Sequence, residues 1–328
     1  MSRYTELAVR GIALFIVLWS AFAQAQTEDA KSFPSKPIHI VVAASPGGVN
    51  DILARLVGQK LTESFGQPVV VENKPGAATI LGTEYAARAR PDGYTLLSAP
   101  MASLAVNPAV YSKLSYATRD FVPISLSAAY PYFLAVSNAT PVRTVRELVD
   151  YTKANPGKAN AGGASVTFQL AIEMFKQRTG AQIQYIPYKG SNDATLSLIS
   201  GELLASFVDP GPASPQIRAG QFRALAVTAP ARMASFPDVP TMAEAGIPDM
   251  AILSWTGFLA PAGTPPDIVA KLEREVMRII RLPDIRARLQ TVELDPVGST
   301  SAEFARTIAK DLETWAAVAK AANIRIEP

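Results

Sequence analysis

Beyond Pro34 the chain alternates short apolar, β-branched runs with longer stretches of helical spacing, and it does so in two successive sets. Such alternation is the pattern of βα units around a mostly parallel sheet. Ile38 to Ala44 is a run of strand length stopped by Pro46-Gly47-Gly48. After it Ile52, Leu53, Leu56, Val57 and Leu61 fall at helical spacing, and Phe65-Gly66 closes the helix. Val69-Val70-Val71 repeats the strand signal and turns at Glu72-Asn73-Lys74-Pro75-Gly76 into a helix through Tyr85 to Arg90. Tyr94 to Leu97 is a third strand after Pro91-Asp92-Gly93, so the first hundred residues predict a doubly wound α/β domain.

A second α/β set follows. Tyr132 to Val136 reads as a strand, Val145 to Thr152 and Leu170 to Arg178 as helices, and Ile183 to Ile186 as a strand entering Pro187-Tyr188-Lys189-Gly190. Asp193 to Ile199 is a further helix, with strands at Ala205 to Val208 and Ala224 to Thr228. The chain leaves this domain along Trp255 to Ala260, and a helix opens at Thr264-Pro265-Pro266-Asp267 and runs to about Ile280. Thr300 and Glu303 form a capping box for a last helix whose Phe304, Ile308, Leu312, Trp315 and Val318 make one apolar stripe, read as core packing.

Composition narrows the function. Arg3 and Arg10 precede an apolar run, Gly11 to Ala23, closed by Ala23-Gln24-Ala25, which predicts a secretory signal peptide over residues 1–25 cleaved near Ala25-Gln26 and a periplasmic destination. A formal charge of +3 over 328 residues argues against nucleic-acid binding by counterion release. The chain has no cysteine and one histidine, which removes thiolate chemistry and leaves a Ser-His-Asp triad or multi-His metal site without its parts. His39 lies within the first strand pattern and reads as structural. Gly163-Ala164-Ser165-Val166-Thr167 misses the nucleophile elbow at its last position, and neither dinucleotide nor P-loop glycine motifs occur. No cofactor, metal or catalytic residue is expected.

The turns are more informative. Pro46-Gly47-Gly48, Lys74-Pro75-Gly76-Ala77 and Tyr188-Lys189-Gly190-Ser191 each place glycine after a strand and before a helix, where backbone N–H groups and the helix dipole can hold an anion. In open α/β sheets, ligands lie at the carboxyl ends of the strands, where these turns fall.

Pro46-Gly47-Gly48-Val49-Asn50-Asp51-Ile52-Leu53-Ala54-Arg55, Glu72-Asn73-Lys74-Pro75-Gly76-Ala77 and Arg90-Pro91-Asp92-Gly93-Tyr94-Thr95-Leu96-Leu97 together resemble the opening signatures of the Bug, or TctC-like, extracytoplasmic solute receptors. Ile186-Pro187-Tyr188-Lys189-Gly190, Leu225-Ala226-Val227-Thr228, Pro237-Asp238-Val239-Pro240-Thr241, Trp255-Thr256-Gly257 and Ala260-Pro261-Ala262-Gly263-Thr264-Pro265 continue the resemblance in order along the chain. It implies a type II periplasmic-binding-protein fold of two α/β lobes, with a small organic carboxylate held in the cleft between them. That carboxylate is a dicarboxylate, tricarboxylate, aromatic acid or amino acid, delivered to the membrane permease of a tripartite tricarboxylate transporter. Lobe 1 is expected at residues 26–126 plus 255–328 and lobe 2 at 127–254, with hinges near Val122 to Ser127 and Leu253 to Thr256.

Carried onto this chain, the resemblance points to Pro46, Gly47, Gly48 and Asn50 in the first loop, Gly76 and Ala77 in the second, and Ser98 and Ser103 after the third strand. In the second lobe it points to Ser165, Thr167, Gln169, Lys189, Gly190 and Asp209. Gln169 stands where many members have histidine, and Phe168 is read either as core filler or as a pocket wall. Asp209 would either read an amino or hydroxyl group of the ligand or bond to neighbouring backbone. Asp51 is expected to brace the first helix, and a β-branched residue at Gly48 to weaken binding through backbone strain. A periplasmic co-sensor built on the same pocket, and less favourably an exported carboxylate-converting enzyme, are the alternatives.

Overall fold

The computed structural model describes residues 30–163, 165–188 and 191–327. The expected signal sequence, Lys189 and Gly190 lie outside them. Two sheets organise the chain. The first runs in the order β11-β4-β10-β3-β1-β2, built from β1 (Ile38–Val42), β2 (Val69–Asn73), β3 (Thr95–Pro100), β4 (Phe121–Pro131), β10 (Leu253–Pro261) and β11 (Asp295–Pro296). β1 pairs in parallel with β2 and β3, and β10 inserts antiparallel between β3 and β4. The second has the order β7-β6-β8-β5-β9, from β5 (Phe133–Ser137), β6 (Asn160–Gly163), β7 (Gln184–Pro187), β8 (Ala205–Val208) and β9 (Phe222–Val227). Crossover helices join the strands, as the alternating pattern predicts, but both sheets are mixed rather than mostly parallel, because β10 runs antiparallel to β3 and β4 and β5 runs antiparallel to β8 and β9 where the chain passes between the sheets.

The helices that matter for the cleft start at the carboxyl ends of strands: α1 (Val49–Phe65) after β1 and α2 (Ile80–Ala87) after β2. In the second lobe come α3 (Val145–Ala154), α4 (Val166–Thr179) after β6, α5 (Ser191–Ser200) after β7 and α6 (Pro210–Arg218) after β8. Then α7 (Pro266–Ile280), α8 (Pro283–Gln290) and α9 (Ser301–Ala321) return to the first lobe. Gly66 ends α1 in the left-handed conformation, with its N–H on the Thr62 carbonyl, as the Phe65-Gly66 stop predicts. The Thr300–Glu303 capping box forms at the start of α9. Phe304, Ile308, Trp315 and Val318 of the stripe are buried, and Leu312 is half-buried. Trp255 of β10 stands edge-on to Phe304, ring centroids 5.0 Å apart, and donates its indole N–H to Asp311 at 2.7 Å. Helix α9 is thus fastened to the middle of the first sheet. No helix among the described residues is long and apolar enough to cross a membrane.

Sequence reading missed the longest strand. β4 carries Pro123 and four small Ser and Ala residues among its 11, which obscures the two-residue period. The segment 122–127, expected as a hinge, therefore lies inside the first sheet, and the chain crosses to the second sheet at Tyr132. It returns between β9 and β10. At the crossing the Tyr132 N–H donates to the Thr228 hydroxyl at 2.8 Å, and that hydroxyl donates to the Ile252 carbonyl at 2.6 Å. The Thr228 N–H bonds to the Tyr132 carbonyl and the Ile252 N–H to the Thr228 carbonyl, both at 2.9 Å. Thr228 is fully buried, so these connections are shielded from water.

Packing of α2 on the sheet depends on Gly82. A Cβ there would stand 2.6 Å from the Lys74 carbonyl oxygen and 2.7 Å from Ala43 Cα, both backbone atoms that cannot rotate away. Gly82→Ala is expected to cost about 2 kcal/mol by forcing the helix off the loops after β1 and β2. Chemical denaturation against wild type measures it, and an unchanged midpoint contradicts this account.

Candidate functional site

A cleft of about 970 Å³ lies between the lobes. The first lobe contributes the loop from Ala44 to Gly48, the first turn of α1, Thr79, Pro100 and Ala102. Tyr130, Tyr132 and Ser254 form the wall at the crossing, and Ser165, Thr167, Phe168, Asp193 and Asp209 face them from the second lobe. Helix α6 from Gly211 to Arg218, with Thr291, Val292 and Glu293, completes the lining.

The first loop is shaped by side chains that do not meet the cleft. Buried Asp51 accepts the Gly47 N–H at 2.9 Å and the Arg55 Nε at 3.1 Å, and its other oxygen lies 2.9 Å from Arg55 Nη2. Arg55 also donates to Asn73 Oδ1 at 3.0 Å, and Asn73 Nδ2 donates to the Ala44 carbonyl at 3.1 Å. Burial works to raise the Asp51 pKa, but the hydrogen bonds from Arg55, Gly47 and Asn73 outweigh it and hold the carboxyl below its ordinary value. Asp51 thus braces the loop, as its place in the sequence suggests. The Gly47 N–H, already spent on Asp51, is withdrawn from ligand capture.

Glycine conformation corrects one expectation. Gly48 has φ −80° and ψ 172°, ordinary extended backbone, and a Cβ there would meet only the Ser45 carbonyl at 3.6 Å. The strain expected at Gly48 sits at Gly47, whose φ is +79°. Asn50, 8% exposed, accepts a hydrogen bond from the Thr256 hydroxyl of β10 while lining the cleft.

Of the other first-lobe candidates, Gly76 and Ala77 are exposed and lie off the cleft wall, at the start of a turn in which Ala77, Ala78 and Thr79 all have positive φ. Thr79 is the residue of this turn that lines the cleft. Asn107 Nδ2 holds the turn by the Ala78 carbonyl at 2.8 Å, and the Ser103 hydroxyl donates to Thr79 Oγ1 at 2.8 Å. Ser98 and Ser103 are fully buried. Ser98 donates to the Asn50 carbonyl at 3.3 Å, so both serines position cleft residues from behind.

In the second lobe Ser165, Thr167 and Asp209 are brought to the cleft, whereas Gln169 is not among its lining. Ser165 is the N-cap of α4 and Asp209 that of α6. Phe168, 5% exposed, settles as both filler and wall: it packs on Tyr132 with ring centroids 5.1 Å apart and lines the cleft. Gly163 makes room for it, since a Cβ there would stand 2.4 Å from Phe168 Cβ. Tyr185 donates its hydroxyl to the Gly163 and Ser165 carbonyls at 2.8 and 3.2 Å and fixes this loop, with burial pushing its phenol up to about 12. Tyr130 and Tyr132 are also raised, first by burial and further by the charge of Asp209 (and, for Tyr132, by Tyr130), so both phenols keep their protons at neutral pH.

The cleft lining presents helix starts rather than unpaired cations. Helices α1, α4, α5 and α6 begin on it, and the first four N–H groups of a helix have no partner within it. Helix α6 is a poor donor, because Pro210 and Pro212 lack N–H groups, whereas α1 and α4 keep theirs. Among the described lining residues Arg218 is the one cationic side chain, and it is paired with Glu293 at 2.7 Å. His39 is not in the lining, its Nδ1 lying 2.6 Å from Glu72. No group of three or more His, Asp or Glu among the described residues could hold a metal. Sequence reading missed Thr79, Tyr130, Tyr132, Ser254, Arg218 and Glu293 as cleft residues. They carry no local motif and meet only through the lobe crossing.

Two outcomes follow from the loop. Gly47→Ala is expected to cost about 1 kcal/mol, because its φ is positive, while Gly48→Ala stays near wild type, and thermal unfolding of the pair separates them. Asp51→Asn is expected to lose about 2 kcal/mol at pH 7. Since the folded carboxyl titrates below its ordinary 3.8, its contribution is complete above that pH and disappears as pH falls through the lowered value. The gap between wild type and Asp51→Asn in a pH series of melting temperatures should close on the acid side. A gap that widens toward acid contradicts the brace.

Known proteins share this architecture along its length. The family model for the tripartite tricarboxylate transporter family receptor matches residues 53–324. Protein BugT of Bordetella pertussis is 34% identical over 305 residues, covering 91% of this chain and 93% of that protein. Among solved structures, an adipate-bound protein of R. palustris is 31% identical, with a TM-score of 0.82 over 90% of this chain and 100% of its own. MatC from Rhodopseudomonas palustris, with bound malate, is 28% identical, with a TM-score of 0.77 over 87% of this chain and 99% of its own. The two-lobed fold is that of the periplasmic binding proteins, and the chain belongs to the tripartite tricarboxylate transporter receptor family, whose members bind solutes.

Proposed function

We propose that this protein captures a small organic carboxylate in the cleft and, once its lobes close, presents it to the membrane permease of a tripartite tricarboxylate transporter. The observation that carries this is the start of α1 opening into a 970 Å³ cleft whose one described lining cation is already paired. A carboxylate placed there meets the N–H groups of Gly48, Val49 and Asn50 and the positive end of a 17-residue helix. Ser165 and Thr167, at the start of α4, close over it from the second lobe, with Asp209 reading the uncharged or cationic remainder of the ligand. Adipate and malate in the two related R. palustris proteins support the ligand class. Lobe 1 is taken as residues 30–131 with 253–327 and lobe 2 as the chain between, so closure turns on Tyr132 and on the 228–252 return. The N-terminal apolar run supports export to the periplasm, and the ligand is released unchanged.

The test is a thermal-shift panel of dicarboxylates, tricarboxylates, aromatic acids and amino acids on ligand-stripped protein, with mass spectrometry of the recovered ligand. At about 100 times the dissociation constant, a true ligand adds about 2.7 kcal/mol, a shift of several degrees. Selective stabilisation with the acid recovered intact is expected. No shift across the panel, or conversion of the acid, overturns the reading.

A further inference from the structure

The turn before β11 belongs to the first lobe: the Leu294 N–H donates to the Leu289 carbonyl of α8 at 3.0 Å, and Asp295 pairs with Ala129 of β4. One residue of that turn reaches the other lobe. Glu293 accepts a hydrogen bond from Arg218 Nη2 at 2.7 Å and another from the Ser235 hydroxyl at 2.7 Å. Arg218 ends α6, and its guanidinium lies 4.7 Å over the ring of Phe236, which is packed in the second-lobe core. One carboxylate therefore ties two points of the second lobe to the first. Its side chain is 11% exposed, against 53% for that of Arg218, which shields the contact from one side.

The backbone under Glu293 is held at φ +59°, a conformation that suits glycine and costs a residue with a long side chain. A strained residue whose side chain makes the cross-lobe contact points to a role for that contact. Its place supports this. The pairing of Asp295 with Ala129 sets the turn beside the end of β4, two residues before Pro131 and the crossing. Rotation of one lobe about the crossing has to stretch or break the Glu293 bonds.

We propose that Glu293 is a latch that keeps the lobes of the ligand-free protein from swinging apart beyond the arrangement described. This deepens the receptor reading and rests on it for its consequence: a protein whose lobes are kept from opening further gives a ligand that needs the closed form a higher apparent affinity.

The absence of cysteine allows a clean test. Tyr85→Cys on α2 and Leu196→Cys on α5, both exposed, place one spin label on each lobe for distance measurement by electron spin resonance without ligand. Glu293→Gly is expected to raise the open population about fivefold, the factor corresponding to about 1 kcal/mol for an ion pair with one exposed partner. Its melting temperature should not fall, because glycine relieves the positive φ, whereas a merely structural Glu293 would lower it. Arg218→Met, which leaves that backbone untouched, should lengthen the distances in the same way, and 1 M salt should shift wild type toward them. Distance distributions that superimpose on wild type in both variants overturn the latch. Because no ligand is used, this result is independent of whether the acid panel finds one.

Discussion

The cleft exists because the chain crosses between two sheets at one place, and Thr228 holds that place together. Its hydroxyl accepts from Tyr132 and donates to Ile252, so the outgoing and returning segments are joined through one buried side chain. A hinge needs backbone that can turn without exposing unpaired groups to water. Here the polar groups of both segments stay satisfied by one another rather than by either sheet. β4 and β10 extend the same solution into the first lobe, where Ser254 stands opposite Tyr130 in register. The wall at the crossing is therefore held by the hydrogen bonds of the crossing itself, and the first glycine loop by the Asp51 network behind it.

The second constraint is charge. A carboxylate buried beside an arginine is bound strongly but pays heavy desolvation on both groups. The first loop avoids this by placing its arginine behind the wall. Arg55 neutralises Asp51, Asp51 fixes the Gly47 amide, and Asn73 fixes Ala44, so the loop is ordered by a network whose charges stay out of the cleft. What faces the cleft is the first turn of α1, a partial positive charge that needs no counter-ion and little reorganisation.

The order of elements was legible because local signals agreed with one another. The strand runs at Ile38, Val69 and Ala205, the Gly66 stop and the Thr300 capping box all stand where their patterns place them. β4 was not legible, since its Ser and Ala residues pack closely without an apolar period. In the site, the first loop could be read because one contiguous motif builds it. Ser98, Ser103 and Gln169 could not be placed from spacing alone. Whether a side chain faces the cleft or braces it from behind depends on the direction of a neighbouring element: Ser103 supports Thr79 across a π-helical turn at 102–106. Tyr130, Arg218 and Glu293 come from segments far apart in sequence and have no common pattern to find.

On the proposed reading, capture by backbone suits any carboxylate, and two related proteins bind adipate and malate. If the carboxylate is met by helix N–H groups, the first lobe recognises what all such acids share and has little means to tell them apart. Discrimination then rests on the rest of the lining, where Asp193, Asp209 and Phe168 stand on the second lobe and the neutral phenols of Tyr130 and Tyr132 stand on the wall at the crossing. Beside the two aspartates a hydroxyl or ammonium group is favoured, so the second carboxylate of a dicarboxylate has to lie along another part of the lining. On the proposed reading, the first lobe supplies the general hold on a carboxylate and the rest of the lining supplies the choice among acids.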